Sequence, residues 1–262
     1  MISPVGQQWR AALEGGAYER RLQNHQEFLK LRKLSRTWRH ILGRIQLPPA
    51  ASIFEVGCGG GNQLIPLALH GFKCVGIDCS EAVLSRFQLF LSDVERFAGR
   101  RLDLELIHGD FLSYQSESQY DCVFNVGVIE HFLEDRDRAV FLENKVRLCK
   151  PGGYIVSVVP NGQHPLRERM RREGLGGYRI PEIDYSPEVM EREMTQAGLT
   201  EVIVIPHNFF GYLLMDSQCA RLKRAINWLT YACAQILPRL RVRTFYRHAG
   251  TLICIARRGA SS

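Results

Sequence analysis

The sequence predicts an α/β fold in which a doubly wound, mostly parallel sheet is covered by helices on both faces. Strand-like and helix-like segments alternate between residues 52 and 160, as they do in folds of this class. The segment 121–126 is almost entirely apolar, which is typical of a strand buried on both faces. A glycine-rich turn at 57–61 directly follows the first predicted strand, where such sheets turn into their first helix.

The overall composition indicates a globular protein with a sizeable core. Of the 262 residues, 45% are apolar and 23% are charged. No apolar run reaches the roughly 18 residues that would span a bilayer, and residues 1–10 lack the pattern of a secretory signal. We therefore expect a cytoplasmic protein. The net charge of +7 permits attraction to phosphates or anionic lipid, but it is also ordinary for a soluble basic protein.

Eight cysteines are scattered through the chain without the spacing of a metal site. None forms a Cys-x-x-Cys pair, and no His-x-x-x-His pair accompanies them. Several, such as Cys122 and Cys254, lie within apolar runs, where cysteine behaves as a small core residue. We expect reduced, structural cysteines and no bound metal.

Residues 1–50 are mostly helical in pattern, and we expect them to form a flank or lid before the first strand. Apolar side chains recur at near-helical spacing from Glu19 to Ile45, until Pro48 and Pro49 end the pattern.

Residues 51–160 form the predicted core of the sheet. A helix is predicted over 81–97, where the apolar residues fall on one face. Five strands are predicted, at 52–56, 73–78, 104–108, 121–126 and 154–159.

Residues 161–262 form the predicted C-terminal part of the sheet, interrupted by insertions at 161–198 and 206–248. Ser186 and Pro187 mark the start of a helix, as N-cap and first helical residue. Two further strands are predicted, at 199–205 and 251–256.

Residues suited to ligand binding lie at the ends of the first three predicted strands. The glycines at 57–61 let a ligand approach the backbone, and the helix that opens near Asn62 offers free N–H groups to an anionic group. Asp78 ends the second strand, where its carboxylate can accept both hydroxyls of a ribose. Asp110 and Phe111 follow the third strand. Both aspartates could instead cap the helices that follow them, and Phe111 also suits the core.

Five segments within residues 52–161 resemble the class I S-adenosylmethionine-dependent methyltransferases, in particular the branch that acts on small molecules. The segments are EVGCGGG (55–61), GID (76–78), HGDF (108–111), YDCVFNVGVIEHF (120–132) and KVRLCKPGGYIVSVVPN (145–161). The resemblance implies a Rossmann-like sheet of seven strands with the last strand antiparallel. It also implies S-adenosylmethionine as the cofactor.

By this resemblance, the glycine turn would border the methionine portion of the cofactor. Gly57, Gly59 and Gly61 would line it, and Glu55 would support the loop. Asp78 would hold the ribose.

The following strand ends would hold the rest of the cofactor. Asp110 would bind the adenine amino group and Phe111 would pack on the adenine ring. Asn125 and Val126 would border the sulfonium.

A nicotinamide dehydrogenase is the main alternative, because its fingerprint Gly-x-Gly-x-x-Gly also follows a first strand. In this chain the third glycine of that fingerprint would fall at position 62, which is Asn62. The segments HGDF and IEHF also have no counterpart in that class, so the sequence favours the methyltransferase.

His131 is the candidate general base, since a histidine pKa lies near neutrality and the residue follows the fourth strand. A role in orienting the loop stays open beside it. Glu130 is expected to hold the loop or the cofactor, while His164 and His207 could each face a substrate by position. Methyl transfer itself requires orientation of the acceptor and exclusion of water, but no metal.

The methyl acceptor is predicted to be a small molecule, of a lipid-linked or glycan type. Methyltransferases that act on DNA bases or amide nitrogens commonly carry Asn/Asp-Pro-Pro-Tyr after strand four, whereas this chain reads NVGV at 125–128. A nucleic-acid partner is not favoured. The alternatives are an RNA or protein methyltransferase, and a non-catalytic cofactor-binding module that works through its helical insertions.

The insertions are predicted to choose the substrate. The segment 217–247 combines a short apolar helix with flanking arginines, as in a peripheral membrane contact, but a lid helix or a homodimer contact fits the same pattern. The basic run 167–172 would either meet an anionic substrate or form a solvated helix face.

Overall fold

The computed structural model describes residues 3–164, 167, 180–209, 225, 229 and 249–259. Seven strands form one sheet: β1 Ser52–Val56, β2 Lys73–Asp78, β3 Leu104–His108, β4 Tyr120–Val126, β5 Cys149–Pro160, β6 Leu199–Phe209 and β7 Ala249–Arg258. Their order across the sheet is β3-β2-β1-β4-β5-β7-β6. The first five strands are parallel, and β7 is antiparallel to both of its neighbours. The predicted seven-stranded sheet with an antiparallel last strand is confirmed.

Seven α-helices lie in the described part of the chain: α1 Pro4–Leu13, α2 His25–Leu31, α3 Arg36–Leu42, α4 Leu64–Leu69, α5 Glu81–Ala98, α6 Asp135–Leu148 and α7 Pro187–Gln196. A short 3-10 helix spans Ile129–His131. The periodic pattern of 19–45 becomes two helices and not one, because Ser35 caps α3 by accepting a hydrogen bond from the Trp38 N–H.

Two apolar layers cover the sheet. On one face, helices α2 to α5 pack over the strands, and the Trp38 ring meets the Phe124 ring edge-on at 4.8 Å between centroids. On the other face, α6 and α7 contribute Phe141 and Met190 to a second cluster. The strands are therefore buried on both sides, as the apolar run of β4 predicted.

Several strand ends differ from their predicted positions. β5 begins at Cys149, five residues before the predicted start, so the Pro151–Gly153 turn is part of the strand. β6 continues to Phe209 beyond the predicted end at 205, because it pairs with β7 along its length. The predicted start of α7 is confirmed, since the Ser186 hydroxyl accepts a hydrogen bond from the Val189 N–H.

The six described cysteines are all free thiols, as predicted: Cys58, Cys74, Cys79, Cys122, Cys149 and Cys254. None of the helices in the described ranges is long and apolar enough to cross a membrane. Apart from Ala225 and Leu229, the segment 217–247 lies outside the described residues.

Gly61 is a point at which the fold tolerates no side chain. Its φ is +74°, and a Cβ there would lie 2.1 Å from the Phe87 ring. We expect Gly61→Ala to lower the free energy of unfolding by about 3 kcal/mol, from backbone strain and overpacking together. Gly99→Ala is the matched control, because its φ is +66° but nothing lies within 4 Å of the added Cβ. The control should lose only about 1 kcal/mol in urea denaturation; equal losses would contradict the packing argument.

Candidate cofactor site

The glycine turn is attached to the end of β2 by backbone hydrogen bonds. The N–H groups of Gly57 and Cys58 both donate to the Ile77 carbonyl oxygen, at 2.8 and 3.1 Å. Gly59 adopts a φ of +50°, and its N–H donates to the Asp78 carboxylate at 2.9 Å. These hydrogen bonds therefore hold the turn against β2, and its glycine backbone lies at the carboxyl edge of the sheet.

Asp78 is buried at the carboxyl end of β2. One carboxylate oxygen accepts the Gly59 N–H and the other accepts the Ser80 N–H, each at 2.9 Å. Burial raises its pKa, while these hydrogen bonds act in the opposite direction. The helix that follows is capped by Ser80, so Asp78 is not its N-cap; the Asp78 carboxylate instead links the glycine turn to the strand end, and it also lines the cavity described below.

Asp110 and Phe111 lie at the end of the neighbouring strand, β3. The Asp110 carboxylate accepts the Leu112 N–H at 3.0 Å and the Ser3 N–H at 2.5 Å. The Phe111 ring packs against the Phe141 ring at 5.0 Å between centroids and belongs to the core, yet one side of it borders the cavity.

These strand ends surround a cavity of about 740 Å³, counted to its open mouth. Six residues of the predicted site line it: Gly57, Gly59, Asp78, Asp110, Phe111 and Val126. Residues that the sequence did not assign to the site line it as well, and six of them precede the first strand: Ser3, Val5, Gly6, Trp9, Leu13 and Tyr18. The sequence predicts residues 1–50 as a helical flank or lid, but it does not identify which of them contact the cavity.

Three residues of the predicted site lie behind the cavity wall. Gly61 faces Phe87 of α5, and its absent side chain allows helix packing. Glu55 is fully buried beneath the turn, where burial raises its pKa well above the ordinary value and its Oε2 has no hydrogen-bond partner. The Asn125 side chain is also fully buried and is directed into a polar cluster on α6.

That polar cluster centres on Lys145, whose side chain is 0% exposed. Its Nζ donates to Asn125 Oδ1 at 2.7 Å, to the Val156 carbonyl at 2.8 Å and to Ser157 Oγ at 2.9 Å. Burial lowers the Lys145 pKa to about 7. Because Lys145 lies in a helix rich in charged residues, the sequence gives no signal of this role. The cluster fixes the end of β4, where the cavity-lining residues 126–128 begin.

Glu130 and His131 lie just after β4 and are both buried. His131 Nδ1 lies 3.0 Å from the Pro181 carbonyl oxygen, which can only accept, so Nδ1 carries the proton and Nε2 keeps its lone pair. Burial lowers the His131 pKa below the ordinary 6.5. Burial also raises the Glu130 pKa to about 8. The His131 ring contacts the edge of Trp9 at 4.9 Å between centroids, and Trp9 lines the cavity.

The ligand atoms of Glu130, His131 and Glu182 lie within 4.8 Å of one another, a spacing that could hold a cation. Glu182 is already engaged, because Arg167 forms an ion pair with it at 2.9 Å. Arg167 also pairs with Asp184 at 2.7 Å and is buried, so this member of the basic run is not on a solvated helix face. The remainder of that run, 168–172, lies outside the described residues.

The two other candidate histidines are buried away from the cavity, as far as the described residues define it. His164 is 4% exposed and does not line the cavity. The His207 Nε2 lies 3.3 Å from the Thr37 hydroxyl, and its ring lies 5.6 Å from that of His40, against α3. Burial lowers the His207 pKa to about 4, so it is neutral at physiological pH.

The residues present fit an adenosine-bearing cofactor. The turn presents backbone without side chains, and two carboxylates and an aromatic ring face the cavity from successive strands.

Comparison with known proteins identifies the domain. The methyltransferase domain family matches residues 53–153. Residues 53–153 are thus similar to the methyltransferase domain of the class I, S-adenosylmethionine-dependent family. The ubiquinone biosynthesis O-methyltransferase of Maricaulis maris (strain MCS10) is 31% identical to it over 111 residues, which are 42% of this chain and 40% of that protein. The chain thus aligns with less than half the length of that relative.

Solved structures share the fold of the methyltransferase domain and its surroundings. A SAM-dependent methyltransferase from Archaeoglobus fulgidus superposes with a TM-score of 0.57 at 17% identity, over 89% of this chain and all of that one. The magnesium protoporphyrin IX methyltransferase of Synechocystis PCC 6803, solved with bound S-adenosylmethionine, gives a TM-score of 0.56 at 12% identity, over 98% and 99% of the two chains. S-adenosylmethionine is the cofactor of this family.

The buried Glu130 carboxyl makes stability depend on pH. Its pKa is about 8 in the folded chain against an ordinary value of 4.5, so between these values the unfolded chain binds fewer protons. The free energy of unfolding of the wild type therefore decreases by up to about 1.4 kcal/mol for each pH unit across this window. Glu130→Gln lacks this titration. In urea denaturation, the free energy of unfolding of the variant relative to that of the wild type should therefore increase from pH 4.5 to 8 and stay constant above pH 8.

The control for this titration is Glu143→Gln, which removes an exposed glutamate from α6. Its stability should follow that of the wild type at every pH. A constant difference between Glu130→Gln and the wild type would show that Glu130 is ionised in the folded chain.

Proposed function

We propose that this protein transfers the methyl group of S-adenosylmethionine to a small-molecule acceptor. The observation that carries the proposal is the cavity at the carboxyl edge of the sheet, where the glycine turn, Asp78 and Asp110 converge. The matched family and the O-methyltransferase relative support a transferase that acts on a small molecule. The predicted domain organisation, with 51–160 as the cofactor core and the flanking parts as substrate caps, is part of this proposal.

Each residue of the site would have a separate task in holding the cofactor. Asp78 would accept the ribose hydroxyls, and Asp110 the adenine amino group, beside the ring of Phe111. Gly57 and Gly59 would let the methionine portion lie against the turn. When bound, S-adenosylmethionine supplies an electrophilic methyl group on a positively charged sulfur.

An oxygen acceptor would lose a proton as it is methylated, and His131 would take it. His131 does not itself line the cavity, but its ring contacts Trp9, which does. Its Nδ1–H is fixed on the Pro181 carbonyl, which orients the ring and leaves Nε2 as the proton acceptor. Orientation of the loop and base catalysis are thus compatible functions of one residue. Burial keeps the ring neutral, which is the form that a base requires.

The acceptor class is proposed to be a hydroxyl compound of lipid-linked or glycan type. The cavity walls contributed by Trp9, Leu13 and Phe132 are apolar, which suits an acceptor with an apolar body. A panel of phenol, sugar and lipid hydroxyls, with released S-adenosylhomocysteine as the readout, tests the class. Turnover only with RNA or protein would redirect the proposal to those substrates, and affinity without turnover on any acceptor would indicate a non-catalytic module.

Asp78 should carry much of the affinity for the cofactor. A hydrogen bond to a charged group contributes about 1.5–3 kcal/mol, so Asp78→Asn should weaken S-adenosylhomocysteine binding about ten- to a hundredfold in calorimetry. The matched control is Asp103→Asn, since Asp103 is exposed before β3 and does not line the cavity. Unchanged affinity in Asp78→Asn would mean that the cofactor lies elsewhere.

His131 should govern the acid limb of the rate profile. Because burial lowers its pKa, kcat/KM of the wild type should hold at neutral pH and fall only below 6.5, as Nε2 becomes protonated. His131→Gln should lower kcat by about a hundredfold or more and remove that limb. His25→Gln, at an exposed site on α2, is the control. A slower variant that keeps the acid limb would assign His131 to loop positioning alone.

A further inference from the structure

The N-terminal segment, residues 3–20, lies across the whole cofactor cavity. At the adenine end, the Ser3 N–H donates to Asp110 at 2.5 Å. At the turn, a Cβ added to Gly60 would lie 2.8 Å from the Tyr18 Cβ, so Tyr18 is packed directly on the glycine backbone. The segment therefore forms the wall of the cavity opposite the strand ends.

The middle of the segment contacts the cavity from the same side. Cys79, which follows Asp78 in the chain, has its Sγ 3.7 Å from the Gly6 carbonyl oxygen. The Trp9 ring meets His131 edge-on. Contacts thus extend from β2 and β3 to the loop after β4.

Helix α1 is too short and too exposed to hold this position by itself. It has ten residues, and only Gly6 and Leu13 are buried. Isolated helices below about 12–15 residues are marginal in water, and their last carbonyls lack partners within the helix. The segment needs an attachment to the body of the protein.

Arg86 of α5 provides that attachment at the end of α1. Its guanidinium donates to the carbonyl oxygens of Leu13, Glu14 and Ala17, each at 2.9 Å. A cation at the carboxyl end of a helix also interacts favourably with the helix dipole. Arg86 itself does not line the cavity, so it acts on the site only through the segment.

Arg20 strengthens the far end of the same segment. It donates to the Gly60 carbonyl and to Asn62 Oδ1, each at 2.7 Å, and its guanidinium lies 3.9 Å from the centre of the Phe90 ring. The segment is thereby attached both to α5 and to the glycine turn.

We propose that Arg86 is a positioning residue for the cofactor: it holds the C-terminal end of α1 and so keeps residues 3–20 in place as a wall of the cavity. This inference rests on the proposed function for the identity of the ligand. The attachment of the segment can be measured without any ligand.

The first measurement is hydrogen–deuterium exchange on the ligand-free full chain. In Arg86→Met, backbone amides of residues 3–20 should exchange faster than in the wild type, while those of β1 to β5 keep their protection. Arg86→Lys keeps the charge but cannot reach three carbonyls with a planar fork, so it should give an intermediate result. The control is Arg101→Met, which removes an exposed arginine before β3.

The second measurement is the affinity for S-adenosylhomocysteine by calorimetry. Arg86→Met lacks these charge-assisted hydrogen bonds, so its affinity for S-adenosylhomocysteine should be about tenfold weaker than that of the wild type. The affinity of Arg101→Met should be unchanged. Three results would overturn the proposal: unchanged exchange at 3–20, loss of protection throughout the sheet, or faster exchange at 3–20 with wild-type affinity. If the wild type does not bind S-adenosylhomocysteine, the proposed function fails, and the exchange data still decide whether Arg86 holds the segment.

Discussion

The hydrogen bond from the Gly59 N–H to the Asp78 carboxylate is the constraint on which the arrangement of the site depends. Together with the two N–H groups that donate to Ile77, it fixes a turn without side chains to the end of the neighbouring strand. The carboxylate must stay buried beside the cavity for this bond to form, which places it where a ribose would be recognised. In the proposed function, this one acidic residue would both shape the turn and hold the ribose.

The sheet supplies only part of the cavity. The strand ends contribute its carboxylates, while the opposite wall comes from residues before β1, with Trp9 and Tyr18 as its aromatic members. This division lets one fold meet two requirements, holding a cofactor and fitting an acceptor, with different parts of the chain. The strand ends can stay constant for a common cofactor, whereas the covering segment can vary with the molecule that receives the methyl group.

The sequence predicts the elements whose physical causes are local. The alternation of strands and helices, the Ser186 cap and the glycine turn all follow from patterns a few residues long, and the structure contains them. It does not predict the direction of the Asn125 side chain, because that depends on a lysine twenty positions away in the chain. It predicts residues 1–50 as a flank or lid, but it does not identify the contacts that hold residues 3–20, since the contact of Arg86 with Leu13 joins positions 73 residues apart. Tertiary contacts of this range leave no periodic signal in a sequence.

The enclosure of Lys145 has an effect on the acid–base behaviour of the whole molecule. Burial removes water from the protonated amine, and its three partners are neutral oxygens that supply no counter-charge, so its pKa falls from 10.5 to about 7. At mildly alkaline pH the folded chain has released this proton while the unfolded chain still holds it. Unfolding at such a pH therefore takes up a proton at this amine. The contribution of Lys145 to the free energy of unfolding therefore increases as pH rises from about 7 to 10.5.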